Sequence, residues 1–284
     1  MTIDKRLWWS IIGGAVLLAG CRMPARCEPS AVQQRQIVYK PTPQGELRLH
    51  VFDCGSGRDR PAIVFFFGGG WTGGDPQQFF PHCQHLAAQG MVAISAEYRV
   101  RSRHGTTPFE CVADGKSAVR YLRSHAMELG IDPQRIVAGG GSAGGHVAAC
   151  TATIEKYDEA TEDQSIASTP NALVLFNPVV DTTKLGYGAQ RFGDDPTALS
   201  PVHYVREGRP PTIIFHGTAD TTVPFENVER FCRKMREAGN ACTLVPFEGK
   251  KHGFFNYDRD EDRRSYHETV AHMDEFLRTH GFIK

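Results

Sequence analysis

The sequence lacks an excess of charge of either sign. Lys and Arg together number 32, Asp and Glu also number 32, and the formal net charge at pH 7 is zero. A neutral chain has no broad basic field, so no nucleic-acid partner is expected. Internal repeats and low-complexity tracts are absent as well. With 284 residues, 40% of them hydrophobic, the chain can nevertheless bury a large core.

The sequence also lacks a hydrophobic run long enough to span a bilayer. The most apolar stretch, Leu7 to Gly20, has 14 residues, whereas a spanning helix needs roughly 20. Lys5 and Arg6 precede this stretch, and a charged start followed by a short apolar segment is typical of an export signal.

The apolar stretch ends in Leu18-Ala19-Gly20-Cys21, which resembles the lipobox of bacterial lipoproteins. The resemblance implies cleavage before Cys21 and attachment of lipid to that cysteine. We therefore expect residues 1–20 to be a signal peptide and residues 21–35 a polar tether. The mature protein would be exported and anchored to a bacterial membrane, at the outer membrane or the periplasmic face. An ordinary secretory signal with a chance cysteine is the alternative.

No Cys-x-x-Cys pair occurs, so zinc or thioredoxin-type chemistry has no support. Seven cysteines follow Cys21, and an odd number leaves at least one thiol unpaired within the chain. Cys232 and Cys242 are the favoured disulfide pair, because they lie on a predicted helix and on the strand that follows it.

Residues 258–262 form an acidic run that imitates the start of a calcium loop. A calcium loop needs glycine at its sixth position and glutamate at its twelfth, where this sequence has Arg263 and Thr269. The run is therefore interpreted as solvated surface. Neither a metal nor an organic cofactor is expected.

Eight stretches have the pattern of strands. The first two alternate apolar and polar residues, as half-exposed antiparallel strands do, and buried apolar strands alternate with helices after them. This order predicts an α/β fold of one domain over residues 36–284, with an eight-stranded, mostly parallel sheet and helices on both faces. The predicted strands are 36–39, 47–52, 62–67, 91–95, 136–138, 173–176, 212–215 and 242–245.

Gly140-Gly-Ser142-Ala-Gly144 lies between the fifth predicted strand and the helix that follows it. It matches the G-x-S-x-G pattern of a strained strand-to-helix turn that exposes a serine hydroxyl. The first N–H groups of the helix would face the negative charge that develops when an acyl group is attacked. A glycine-rich turn that binds phosphate, or only turns the chain, is the alternative for the motif alone.

Three further candidates follow other strands of the predicted sheet. Gly68-Gly69-Gly70 follows the third strand, Asp220 the seventh and His252 the eighth. The carboxyl ends of parallel strands meet at one edge of a sheet, so these residues are expected near Ser142. The chain order Ser142, Asp220, His252 is the serine–acid–histidine order of one fold class.

On these motifs the chain resembles the α/β-hydrolases of the esterase–lipase kind, close to the hormone-sensitive-lipase-like and acetyl-esterase-like families. The resemblance covers nearly everything after Gln36. It implies that Ser142 is the nucleophile, His252 the general base and then acid, and Asp220 the residue that orients the histidine. It also implies an oxyanion hole made by the N–H groups of the following residues: Gly69, Gly70 and Ala143.

The sequence departs from that family at one position and offers rivals at others. Phe67 replaces the histidine of the family's His-Gly-Gly-Gly motif, which removes the usual hydrogen bond that braces the loop. Asp181, after the sixth strand, is the rival to Asp220 as the acid. His146 is interpreted as structural, and Glu97 and Asp114 as residues that brace loops through paired charges.

The predicted function is that of a serine carboxylesterase that hydrolyses short-chain acyl esters through an acyl-enzyme. The segment from residue 181 to residue 211 is too short for an elaborate lid, so a minimal cap and an open site are expected. Tyr187, Phe192 and Tyr204 could wall the acyl or alcohol pocket, or pack in the core. Acetyl or feruloyl esters of polysaccharides are one expected substrate class. The alternatives are a prolyl-oligopeptidase-type peptidase and a catalytically inactive binding module.

Overall fold

The apolar stretches of the sequence form the strands of one sheet, in the order β1-β2-β4-β3-β5-β6-β7-β8. The computed structural model describes residues 26–55 and 57–284. β1 pairs antiparallel with β2 and β2 antiparallel with β4, and all the other pairs are parallel. The predicted eight-stranded, mostly parallel sheet is confirmed. The strands are β1 Gln33–Thr42, β2 Gly45–Asp53, β3 Arg60–Phe66, β4 Val92–Ala96, β5 Ile131–Gly141, β6 Ala172–Phe176, β7 Thr212–Gly217 and β8 Cys242–Phe247.

Within residues 26–55 and 57–284, seven α-helices cover the two faces of the sheet. Side chains of α3, α5 and α6 pack into the core on one face, and those of α1 and α7 pack into the core on the other. Every residue of β3, β4 and β6 is buried, as expected for strands with helices on both sides. The helices are α1 Phe80–Ala88, α2 Arg101–His104, α3 Pro108–Ser124, α4 Ala126–Leu129, α5 Ala143–Thr153, α6 Phe225–Glu237 and α7 Arg264–Thr279.

The start of the described chain differs from the predicted tether. β1 begins at Gln33, and Cys27 is disulfide-bonded to Cys54 while its N–H donates to Ala88 O at 3.0 Å. Residues 26–35 are therefore fixed to the domain rather than extended from it. Their polar composition is compatible with strand structure because β1 is an edge strand with solvent-exposed residues. The predicted signal peptide and Cys21 lie outside the described residues.

The predicted Cys232–Cys242 disulfide is wrong, since both cysteines are free thiols. Cys232 Sγ instead donates to the backbone oxygen of Cys242 at 3.3 Å. Closeness along the chain does not set the direction of the Cβ atoms, which decides whether two cysteines can be bridged. None of the helices in residues 26–55 and 57–284 combines the length and the apolar content needed to cross a membrane.

Candidate active site

Ser142 lies at the sharp turn between β5 and α5, with φ 55° and ψ −119°. This backbone conformation is costly for a residue with a Cβ and persists only where its surroundings enforce it. The turn leaves no room for a side chain at Gly140, before the serine, or at Gly144, after it. A Cβ on Gly144 would lie 2.0 Å from Phe66 O, and one on Gly140 would lie 2.5 Å from the Gly144 backbone. The glycines of the motif are thus required by close contact between β3, β5 and α5.

Hydrogen bonds from three directions hold the Ser142 backbone. Its N–H donates to Phe176 O at 2.9 Å, and its carbonyl accepts from His146 N at 3.0 Å and from Val179 N at 3.3 Å. These bonds tie the turn to the end of β6 and to the first turn of α5. The serine therefore projects its hydroxyl from a fixed point at the carboxyl edge of the sheet.

His252, on the loop after β8, reaches the serine. Its Nε2 lies 2.9 Å from Ser142 Oγ, and its Nδ1 lies 2.6 Å from Asp220 Oδ2. Because a carboxylate only accepts hydrogen bonds, the proton on Nδ1 points at Asp220 and leaves Nε2 free to accept the serine proton. The three residues predicted from their positions after β5, β7 and β8 therefore form one hydrogen-bonded row.

The carboxylate of Asp220 is buried and held on both oxygens. Its Oδ1 accepts from the N–H groups of Thr222 and Val223 at 2.8 and 2.9 Å. Its Oδ2, besides contacting His252, lies 3.2 Å from His216 Nε2. Burial acts to raise the pKa of Asp220, but the hydrogen bonds from His216, His252 and the Val223 N–H outweigh it and hold the pKa well below its usual range. The carboxylate is ionised at neutral pH.

The glycine loop after β3 lies against the serine. A Cβ on Gly68 would be 3.4 Å from Ser142 Cβ, and Gly69 and Gly70 have φ of 131° and 60°. The N–H groups of Gly69 and Gly70 donate to no atom of residues 26–55 and 57–284. Ala143 is the first residue of α5, and an N–H at that position has no partner within the helix. All three predicted donors are therefore available to an anion beside Ser142.

Gln78 is a site residue that the sequence did not reveal. Its Oε1 accepts from Gly68 N at 2.6 Å, and its Nε2 donates to Asn256 Oδ1 at 2.7 Å. Phe67, in the position where the resemblance leads one to expect histidine, stacks on Tyr98 with ring centroids 4.3 Å apart. The loop is thus braced by an amide and an aromatic stack instead. No local signal marks Gln78, because its partners come from distant parts of the chain.

The rival residues have other partners. Asp181 forms an ion pair with Arg230 and accepts from Thr183 N at 2.8 Å. His146 is buried and bridges two elements, since its Nε2 donates to Leu199 O at 2.6 Å and its Nδ1 accepts from Trp71 Nε1 at 3.1 Å. Burial lowers the pKa of His146 to about 4, although the bond to Leu199 opposes the shift. His146 is therefore a neutral packing residue.

Glu97 and Asp114 bind neighbouring strands and helices and have no contact with the row. The Asp114 carboxylate is fully buried and accepts from Lys40 Nζ at 2.7 Å and from Arg99 Nη2 at 2.7 Å. Glu97 accepts from the backbone N–H of Arg48 at 3.0 Å and lies 3.1 Å from His50 Nε2. Both side chains act as the predicted braces.

A cavity of about 440 Å³ opens above Ser142 and His252. The segment between β6 and β7 contributes three of its lining residues, Asn177, Tyr187 and Arg191. Phe192 is buried instead, with its ring centroid 5.3 Å from that of Trp71, and Tyr204 packs against the core. Of the three aromatic residues considered for the pocket, Tyr187 alone lines this cavity. Within the described residues no cluster of three or more His, Cys, Asp or Glu could hold a metal ion.

A serine at a strand-to-helix turn, hydrogen-bonded through a histidine to an aspartate at the carboxyl edge of a mostly parallel sheet, defines an α/β-hydrolase. Comparison with known families agrees with this class. The BD-FAE family model matches residues 52–190, and the model of the dienelactone hydrolase family matches residues 172–284.

The chain belongs to the α/β-hydrolase esterases, a family of carboxylic ester hydrolases. Its fold matches that of esterase 2 from Thermogutta terrifontis, phosphonylated by sarin, with TM-score 0.85 and 48% identity over 88% of this chain and 96% of that one. It is also 30% identical over 233 residues to esterase LipQ of Mycobacterium tuberculosis, covering 74% of this chain and 54% of that protein. A probable isoprenylcysteine α-carbonyl methylesterase of Arabidopsis thaliana is 26% identical, covering 77% of this chain and 50% of that protein. The chain thus spans about half the length of these two curated relatives.

Proposed function

We propose that the protein hydrolyses carboxylic esters through an acyl-enzyme on Ser142. The observation that carries the proposal is the continuous row from Asp220 through His252 to Ser142, with contacts of 2.6 and 2.9 Å. In the first step His252 Nε2 takes the proton of Ser142 Oγ while the oxygen attacks the ester carbonyl. Asp220 orients the ring and stabilises the imidazolium that forms.

The remaining steps use the glycine loop and the same histidine. The tetrahedral oxyanion is held by the N–H groups of Gly69, Gly70 and Ala143, which have no competing partner among the described residues. Its collapse expels the alcohol, which takes the proton from His252. Water then attacks the acyl-enzyme with His252 as base, and the acid leaves as Ser142 regains its proton.

The substrates proposed are esters of short acyl groups. The short β6–β7 segment leaves a cavity of about 440 Å³ and contributes no helix longer than a single 3₁₀ turn. Structures of the related Thermogutta terrifontis esterase 2 are described as bound to butyrate and to propionate. Acetyl or feruloyl esters of polysaccharides, expected from the sequence, are included in this proposal.

The test is a series of p-nitrophenyl esters from acetate to decanoate, combined with a fluorophosphonate probe. We expect cleavage that falls with acyl length, and labelling of Ser142 alone. Ser142→Ala should abolish the labelling and lower kcat by about 10³-fold or more. A folded protein that neither cleaves p-nitrophenyl acetate nor reacts with the probe would be the inactive binding module. Preferential cleavage of a prolyl p-nitroanilide would favour the peptidase.

We further propose that Cys21 carries lipid and holds the domain at a bacterial membrane. The lipobox-like Leu18-Ala-Gly-Cys21 supports this, and so does the Cys27–Cys54 disulfide, because disulfides persist in exported proteins. Labelled palmitate should be incorporated by the full chain and by the control variant Cys27→Ser, but not by Cys21→Ser. Equal incorporation by the full chain and Cys21→Ser, or none by either, would contradict the proposal.

A further inference from the structure

Arg191 is the one permanently charged residue among the described residues that line the cavity above Ser142. Its Nη1 donates to Gly70 O at 2.6 Å and to Thr72 Oγ1 at 2.5 Å, and both acceptors are neutral. No carboxylate in residues 26–55 or 57–284 lies within 4.0 Å of its side-chain nitrogens. A half-buried guanidinium without an anionic partner is costly, and its planar array of donors matches a carboxylate.

A second cavity, of about 460 Å³, shares Arg191 with the first. Arg191 and Trp71 line it together with Arg101, Thr106 and Gln190. Arg101, on α2, is exposed and also has no carboxylate within ion-pair distance among the described residues. None of the residues lining this cavity is acidic. Two arginines and no acidic residue thus line one cavity in a chain whose net charge is zero.

The wall of the second cavity also holds an unpaired polar group. Thr106 is 8% exposed, and its hydroxyl has no hydrogen-bond partner among the described residues. Buried hydroxyl groups are nearly always paired, and an exception calls for a missing partner. The Thr106 oxygen is closed to solvent, so it lies beside the cavity as an unpaired group and is not itself a contact for a ligand.

We propose that the second cavity, with Arg191 and Arg101, binds a carboxylate group of the substrate. Arg191 belongs to both cavities, so an ester whose carbonyl lies at Ser142 can extend past it into the second cavity. The protein would then prefer esters that carry a negative charge to neutral esters of the same size. This inference rests on the proposed ester hydrolysis and names a substrate class for it.

The carboxylate could belong to either part of the ester, and two matched substrate pairs distinguish these cases. For the alcohol side, 4-acetoxyphenylacetate is compared with its methyl ester. For the acyl side, the p-nitrophenyl monoester of adipic acid is compared with p-nitrophenyl methyl adipate. The measured quantity is the ratio of kcat/KM for the charged to the neutral ester, at low ionic strength and after correction for spontaneous hydrolysis.

We expect a ratio of about five or more in one pair, because hydrogen bonds to ionised groups are roughly twice as strong as neutral ones. Arg101→Gln should lower that ratio several-fold, and Arg101→Gln combined with Arg191→Gln should bring it to about one. Arg191→Gln also disturbs the contact with Gly70, so it lowers the rate for both esters, but the ratio corrects for this. Arg103→Gln, which removes the same charge from α2 outside this cavity, should keep the wild-type ratio.

Several outcomes would overturn the inference. A ratio near one in both pairs, with normal cleavage of the neutral esters, would reject the carboxylate site and leave the esterase intact. An unchanged ratio in the double variant would reject these arginines as its cause. Binding of the charged product of the preferred pair to Ser142→Ala, measured by calorimetry, tests the site without turnover; this product is 4-hydroxyphenylacetate for the alcohol side and adipate for the acyl side. The inference requires that binding to be weakened by Arg101→Gln, whereas absence of ester cleavage in every arm would reject the proposed function itself.

Discussion

The side-chain oxygen of Gln78 lies 2.6 Å from the backbone nitrogen of Gly68, at the start of the glycine loop. The same amide donates to Asn256 Oδ1, and Asn256 Nδ2 donates to Gly253 O at 2.8 Å, next to His252. One chain of hydrogen bonds therefore connects the proposed oxyanion loop with the loop that carries the histidine.

Gln78→Met keeps the length of the side chain and removes both of these hydrogen bonds. We expect kcat for p-nitrophenyl acetate to fall about tenfold with little change in KM, because donors displaced by a fraction of an ångström lose most of their effect on the oxyanion. Steady-state kinetics and circular dichroism would measure the effect and confirm folding.

Gln77→Met is the matched control, since Gln77 is exposed and its side chain makes no hydrogen bond within the described residues. Its kinetics should equal those of the wild type. If Gln78→Met retains full kcat, the loop is held by other contacts, such as the stacking of Phe67 on Tyr98.

Variants of two aspartates test whether Asp220 or Asp181 is the acid that partners His252. Asp220→Asn removes the charge that stabilises the His252 imidazolium and favours the wrong tautomer, so kcat should drop by about 10³-fold or more. Asp181→Asn should keep most of the activity, because Asp181 contacts Arg230 rather than the histidine.

The readout that separates these effects is activity per folded molecule, alongside the melting temperature. Asp181→Asn is expected to lower the melting temperature, since it weakens the partner of a half-buried arginine. If Asp181→Asn is the inactive variant and Asp220→Asn the active one, the acid must be reassigned.

The residues that the sequence predicted well are those whose position is set by local rules. Ser142, Asp220 and His252 each follow a strand of a parallel sheet, and the carboxyl ends of such strands converge whatever the intervening sequence. Gln78 and Arg191 could not be found this way. Gln78 meets Asn256, 178 residues away, and Arg191 meets Gly70, 121 residues away. Contacts of that kind depend on how connecting segments settle on the sheet, which periodicity does not report.

The disulfide was missed for a related reason. Cys27 and Cys54 lie in segments without helical or strand periodicity of their own, and they meet because residues 26–35 fold back along β2 and α1. Proximity along the chain predicts a bond between Cys232 and Cys242, but a thiol-to-backbone hydrogen bond connects them instead.

Loss of the Cys27–Cys54 disulfide should destabilise the domain without changing its chemistry. A disulfide that closes 27 residues removes loop entropy from the unfolded chain worth roughly 3 kcal/mol. Cys27→Ser combined with Cys54→Ser should lower the free energy of unfolding by that amount in urea, with kcat unchanged.

Alkylation and peptide mapping of the wild type should label Cys232 and Cys242. A Cys232–Cys242 crosslink in the map would contradict the structure.

Asp114→Asn should cost stability and leave turnover per folded molecule unchanged. The carboxylate accepts from Lys40 and from three nitrogens of Arg99. The variant would leave these two buried cations with only the partly exposed carboxylate of Glu159 as a counter-charge. Breaking such a buried group costs about 3–5 kcal/mol, measurable as a lower urea midpoint.

Glu46→Gln, which removes the exposed partner of Arg48, is the control and should change stability by less than about 1 kcal/mol. A stable but inactive Asp114→Asn would place this residue in the chemistry instead.

His82 makes the stability of the fold sensitive to acid. It is completely buried among Phe79, Phe176 and Tyr266, and neither ring nitrogen has a hydrogen-bond partner among the described residues. Burial, with a smaller contribution from His85, lowers the pKa of His82 to about 3. In the unfolded chain its pKa is about 6.5. Between these two values the unfolded state binds a proton that the folded state excludes.

Stability should therefore be complete above about pH 6.5 and fall as the pH is lowered towards 3, by at most about 1.4 kcal/mol per pH unit for this group. His82→Phe removes the titration and an unpaired polar ring from an aromatic cluster, so it should flatten the dependence of the unfolding free energy on pH. In this variant His146 still makes the unfolding free energy depend on pH. Its dependence is weaker than that of His82, because the pKa of His146 is about 4. Urea unfolding at pH 7.5, 6, 5 and 4.5 measures the slope of the unfolding free energy against pH.

His272→Gln removes an exposed histidine of α7 and should keep the wild-type slope. If His82→Phe and His272→Gln show the same slope, the acid sensitivity arises from other groups.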